Sequence, residues 1–135
     1  KVRLPKISII LQVGKVALDE LHEKKENLLD RVMAYEQFTD YFLLDFSMGK
    51  GIPFDPKMAL HYLDELTPHI AEDRLAVAGG LGPYTCDLLK PILAKYPQIS
   101  WDAQGQLRSS GKSTDPIEMN RVCSYISRST SYCPI

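Results

Sequence analysis

No run in this 135-residue sequence approaches the roughly 18–20 apolar residues needed to cross a bilayer. No excess of one charge is present either: 16 Lys and Arg against 17 Asp and Glu leave a net charge of −1. Without a field of either sign, the chain is not expected to bind nucleic acid or an anionic membrane. Cysteine is scarce and odd in number, at Cys86, Cys123 and Cys133, with no metal-type spacing. That argues for a reducing cytoplasm and against a disulfide framework. The basic start, Lys1 to Lys6, precedes only a short apolar run interrupted by Gln12, so a signal peptide is not expected. Histidine occurs three times, at His22, His61 and His69, each within or at the end of a helical pattern; no metal site is expected. Nothing marks a cofactor site.

What is present is an ordinary globular composition, 44% hydrophobic and 24% charged, in a length that suits one domain over residues 1–135. Four apolar runs begin at Ile7, Tyr41, Leu75 and Ile99. The first, through Val13, is β-branched and stops at Gly14; the second is Tyr41 to Phe46; the third, Leu75 to Ala78, is short; the fourth, Ile99 to Ala103, contains Trp101. Between them lie helical patterns. One spans about 16–37, with Leu18, Leu21, Leu28, Leu29 and Val32 as its apolar stripe and His22 to Glu26 as a solvated side. A second opens at Asp55-Pro56, a cap followed by a first-turn proline, carries Met58, Leu60, Leu63 and Leu66, and ends near Pro68. A third, from Tyr84 to Lys95, contains Pro91. A fourth is expected to start at Asp115-Pro116, with Glu118 completing a capping box, and to reach Ser129.

Strands alternating with helices imply parallel pairing through right-handed crossovers. The runs are apolar at nearly every position, so both sheet faces are expected to be covered, or the strands to line a barrel. Four units fit a small open doubly wound sheet, such as a flavodoxin-like domain. They also fit half of a (β/α)8 TIM barrel, whose full length is about 250 residues.

Polar groups gather at the strand ends. Asp45 closes Tyr41-Phe42-Leu43-Leu44, Asp102 closes Ile99-Ser100-Trp101, Gln12 lies near the end of the first run, and Gly79-Gly80 follow the third. A carboxylate after apolar strand residues costs free energy unless it is partnered, and parallel α/β folds build their sites at the C-terminal strand ends. Gly79-Gly80-Leu81-Gly82 can bring backbone N–H groups close to an anion ahead of a helix N-terminus. The next loop offers Gln104 and Gly105 beside it. Cys86 falls in the first turn after the glycines and reads as a core thiol; Arg108 and Lys112 read as solvated loop charges.

Leu43-Leu44-Asp45, then Gly49-Lys50-Gly51, then Phe54-Asp55 resembles the sixth strand and loop of phosphoribosylanthranilate isomerase. Ala78-Gly79-Gly80-Leu81-Gly82-Pro83 resembles that family's seventh strand and phosphate loop, and Asp102 the aspartate of its eighth strand. The resemblance implies strands five to eight of a ribulose-phosphate-binding barrel. It further implies an Amadori rearrangement of a phosphoribosyl amine in tryptophan synthesis, with Asp45 as general acid. Asp102 and Gln12 would contact substrate, and Gly79, Gly80, Gln104 and Gly105 would hold phosphate. The implied partner is a small phosphorylated sugar derivative. The family's base is a cysteine on its first strand, which has no counterpart here. After Asp102 the sequence Ala103-Gln104-Gly105-Gln106 departs from the family's Ser-Ser-Gly by one position. A non-catalytic reading stands beside this one: a phosphate-binding half-barrel completed by another half or by a second copy, which would cover its open strand edges.

Overall fold

The computed structural model describes residues 7–24, 27–45, 53–112 and 114–132. The Gly49-Lys50-Gly51 loop, Phe46, Cys133 and the basic start lie outside them. Four strands, β1 (Ile10–Gly14), β2 (Tyr41–Asp45), β3 (Leu75–Ala78) and β4 (Ser100–Trp101), form one sheet in the order β1-β2-β3-β4. Every neighbouring pair is parallel. The helices are α1 (Lys15–Lys24), α2 (Leu28–Glu36), α3 (Pro56–Leu66), α4 (Lys90–Lys95) and α5 (Met119–Thr130). No helix among the described residues is long and apolar enough to cross a membrane.

The sequential strand order is compatible with half of a barrel and lacks the reversal of a doubly wound sheet. A doubly wound sheet reverses strand order at its ligand crevice, and this sheet has no reversal. Consecutive right-handed crossovers put their helices on one face of the sheet, and burial agrees. Val13, Phe42, Leu44, Leu75 and Val77 share a face through the register and are buried. They pack with Leu63 and Leu66 of α3 and Ile92 of α4 in one core, with Trp101 against it. Each such burial contributes about 1.5–3 kcal/mol. On the other face, Ile10 and Tyr41 are exposed and Leu43 is half-buried. Of the two alternatives drawn from the apolar strands, coverage of both faces is not found among the described residues, and lining of a barrel stays open. The strands are apolar on both sides, but helices cover only one.

Several elements differ from their sequence patterns for local reasons. The long 16–37 helix is broken in two: the Asn27 side chain accepts from Leu29 N–H at 2.7 Å and starts α2. In α3, Asp55 accepts from Lys57 and Met58 N–H as expected, but the buried stripe is Ala59, Leu63 and Leu66, with Met58 exposed. Pro91 does not kink a helix from Tyr84. It sits in the first turn of α4, where a missing N–H costs nothing, and the chain before it is a 3-10 turn at Cys86–Leu89. Asp115 does not cap α5. Its Oδ2 accepts from Ser109 Oγ at 3.1 Å and Ser110 N–H at 3.0 Å, while Ile117 is held extended by a bridge to Arg108. The helix therefore begins at Met119, and Glu118 provides no side-chain cap.

At the N-terminal end of the sheet, Arg74 gathers the turn before β2. Its guanidinium donates to Asp40 O at 3.0 Å, Thr39 O at 2.8 Å and Glu36 Oε1 at 2.7 Å. This network fastens the end opposite the candidate site.

Candidate functional site

The parallel register sets the C-terminal strand ends side by side. Gly14 pairs with Asp45, Asp45 with Ala78, and Val77 with Trp101, so Asp102 flanks Ala78. Asp102 N–H donates to Val77 O at 2.9 Å, which extends that ladder by one residue. Because side chains alternate along a strand, Asp45 and Asp102 lie on the same uncovered face and at the same rim. One strand separates them, or about 10 Å between backbones. Gln12, one row below, donates from Nε2 to Asp45 Oδ2 at 2.9 Å. This bond orients the Asp45 carboxylate over the sheet.

An open cleft of about 630 Å³ lies at this rim, lined by Gln12, Gly14, Asp45 and Gln104 together with Val16, Ala17 and Glu20. Its volume falls in the range of small-ligand sites. Three residues picked from the sequence, Gln12, Asp45 and Gln104, thus share one cavity. Asp102, Gly79, Gly80 and Gly105 stand at the same end of the sheet but do not line that cleft.

The α1 contribution is absent from the sequence reading. β1 runs into α1 at Lys15 with no intervening loop, so the first turns of α1 wall the cleft. Val16, Ala17 and Glu20 fall on one helical face, at i, i+1 and i+4. The signal for this was Gly14, read only as a strand stop. Glu20 also pairs with Arg31 at 3.9 Å.

The two glycine-bearing loops touch. Gly79 and Gly80 have φ of 103° and 72°, a conformation that glycine adopts without strain. Thr85 Oγ1 donates to Gly80 O at 2.8 Å and holds the loop's shape. A Cβ on Gly82 would lie 2.3 Å from Gln106 Cβ, so this glycine lets the loop after β3 rest against the loop after β4. A Cβ on Gly105 would lie 3.0 Å from Gly111 O. One expectation is corrected: no long helix starts behind the glycines. Only the four-residue 3-10 turn and the six-residue α4 follow, so anion recognition here would rest on loop N–H groups rather than on a helix dipole. Cys86 is fully buried, and its thiol donates to Pro83 O at 3.6 Å, a core role.

His61 and His69 are exposed and remote from the rim, on α3 and just after it. Among the described residues no group of His, Cys, Asp and Glu could hold a metal ion. Comparison with family models, with curated proteins and with solved structures finds no match to this chain.

Proposed function

We propose that this chain forms the C-terminal half of a (β/α)8 barrel that binds a phosphorylated sugar derivative and, once the barrel is complete, isomerises it in the manner of phosphoribosylanthranilate isomerase. The observation that carries the proposal is the shared cleft of Gln12, Asp45 and Gln104 at the C-terminal strand ends, beside two glycine loops in contact. Singly wound strand order supports the half-barrel. In this reading the uncovered sheet face is the barrel interior.

An Amadori rearrangement needs a proton donated to the ring oxygen as the C1–O bond opens, and a C2 proton removed. Asp45, oriented by Gln12, is assigned the acid role. Asp102 orients the sugar, and the N–H groups around Gly79, Gly80, Gln104 and Gly105 take the phosphate. The base comes from the other half of the barrel. The test compares a phosphorylated anthranilate–sugar analogue with inorganic phosphate in calorimetry, and follows turnover in the completed barrel. Asp45→Asn is expected to abolish turnover while the analogue still binds. Undiminished turnover in Asp45→Asn would remove Asp45 from the mechanism.

A second reading, a non-catalytic half-barrel that assembles with another half or with itself, is favoured by the exposed Ile10 and Tyr41 on the uncovered face. Light scattering tests it: an assembled species is expected, and a cooperatively folding monomer would argue against it.

A further inference from the structure

Among the described walls of the rim cleft, Glu20 is the charged residue to which the proposed reaction gives no task. Its place follows from how α1 is anchored. Leu18 is buried in the core, so Val16 and Glu20, each two residues away, project from the opposite side of the helix. Val16 and Ala17 give the cleft an apolar wall, and Glu20 adds a carboxylate about 6 Å farther along the helix axis than Val16. Asp45, held by Gln12, is the second carboxylate of the cleft, and Gln12 and Gln104 are neutral. No Lys or Arg is among the described walls. Arg31 pairs with Glu20 at 3.9 Å from outside the cleft, with side chains 41% and 49% exposed, so water and salt weaken that pair. In the reading above, phosphate goes to the loop N–H groups beside the cleft and Asp45 faces the ring oxygen. The space against α1 is left for the substituent on the sugar nitrogen. A carboxylate on that substituent meets negative charge there, whereas a protonated amine meets an attractive partner.

We propose that Glu20 is a specificity-determining residue: it selects phosphorylated sugars whose nitrogen substituent ends in a cationic amine and disfavours those whose substituent ends in a carboxylate. The inference rests on the phosphorylated-sugar reading above and names the substrate class of that same cleft. Glu20→Gln keeps the size of the side chain and deletes only its charge.

Calorimetry on the full chain compares ribulose 5-phosphate ketosamines whose nitrogen carries a para-aminomethylphenyl, a phenyl or a para-carboxyphenyl group, with ribose 5-phosphate as the reference. The aminomethyl compound is expected to bind at least about threefold more tightly than the carboxy compound, with the phenyl compound between them. Glu20→Gln should weaken the aminomethyl compound by about threefold and remove most of the preference, while ribose 5-phosphate affinity stays within about twofold. Arg31→Gln, which frees Glu20, should keep the preference or widen it, and added salt should shrink it. Equal affinities for the two charged compounds, or a preference that survives Glu20→Gln, would overturn the assignment. A preference for the carboxy compound that disappears in Arg31→Gln would also overturn it, by showing that Arg31 reads an anion. Failure of the unsubstituted chain to bind any of these compounds, ribose 5-phosphate included, would instead strike the phosphorylated-sugar reading, and this inference with it.

Discussion

Gly82 and Gly111 show how differently two glycines are constrained. At Gly82 an added methyl group meets the Cβ of Gln106, an atom fixed to its backbone. Gly82→Ala must push the two loops apart, at about 1–3 kcal/mol. At Gly111 nothing lies within reach of a Cβ, and only the φ of +80° resists substitution, so Gly111→Ala is expected to cost about 1 kcal/mol. Urea titration of both variants checks the order; a Gly111 variant less stable than the Gly82 variant would contradict it. Residues of the rim were legible in unequal measure. Asp45, Gln12 and Gln104 stood out because polar groups at the ends of apolar strands need a reason to be there. Glu20 did not stand out, since nothing in its own neighbourhood shows that β1 enters α1 without a loop.

Helix boundaries are set by competing local partners. Asp55 and Asp115 precede proline in the same way, yet only Asp55 caps a helix. The serines at 109 and 110 claim the Asp115 carboxylate first, a competition decided by a loop whose path the sequence pattern does not reveal. Asp55→Ala should therefore cost the usual N-cap contribution of about 1 kcal/mol, whereas Asp115→Ala should loosen the 109–115 loop and leave α5 in place. Amide exchange along α5 distinguishes the two effects; deprotection of its first turn in Asp115→Ala would contradict this.

Between elements, Asp87 joins the 86–89 turn to α5 and the residues after it. It accepts from Tyr132 Oη and from Arg128 at 2.8 Å, and pairs with Lys90 at 2.9 Å. The Tyr132 hydrogen bond, then Lys90, holds its carboxyl at about 2, below the ordinary 3.8. A carboxyl lowered by folding stabilises the protein above its unfolded value, and that contribution is lost as pH falls through the folded one. Asp87→Asn is thus expected to lower the melting temperature at pH 7 but to have little effect near pH 2. An equal decrease at both would show that the charge is not what matters.

At the scale of the molecule, the count and direction of the strands were legible from four apolar runs separated by amphipathic helices. The coverage of the sheet was not. Apolar residues on both strand faces specify two buried surfaces, yet the described helices supply only one. Ile10 and Tyr41 remain exposed on the other. A partner on that face would explain why the strands carry no alternation. In that case Ile10→Lys, which places a charge on the uncovered face, is expected to shift the chain toward its 15.2 kDa monomer in light scattering. An unchanged assembly state would exclude Ile10 from the contact.

The proposed function requires the strand-end residues and the two glycine loops to form one site for a phosphorylated sugar. Titration of the isotope-labelled chain with ribose 5-phosphate, followed by amide chemical shifts, tests it most directly. The expected result is saturable movement of the Gly79, Gly80, Gln104 and Gly105 amides together with the Gln12 side-chain amide. Movement confined to the opposite end of the sheet around Arg74, or no saturable movement at all, would contradict it.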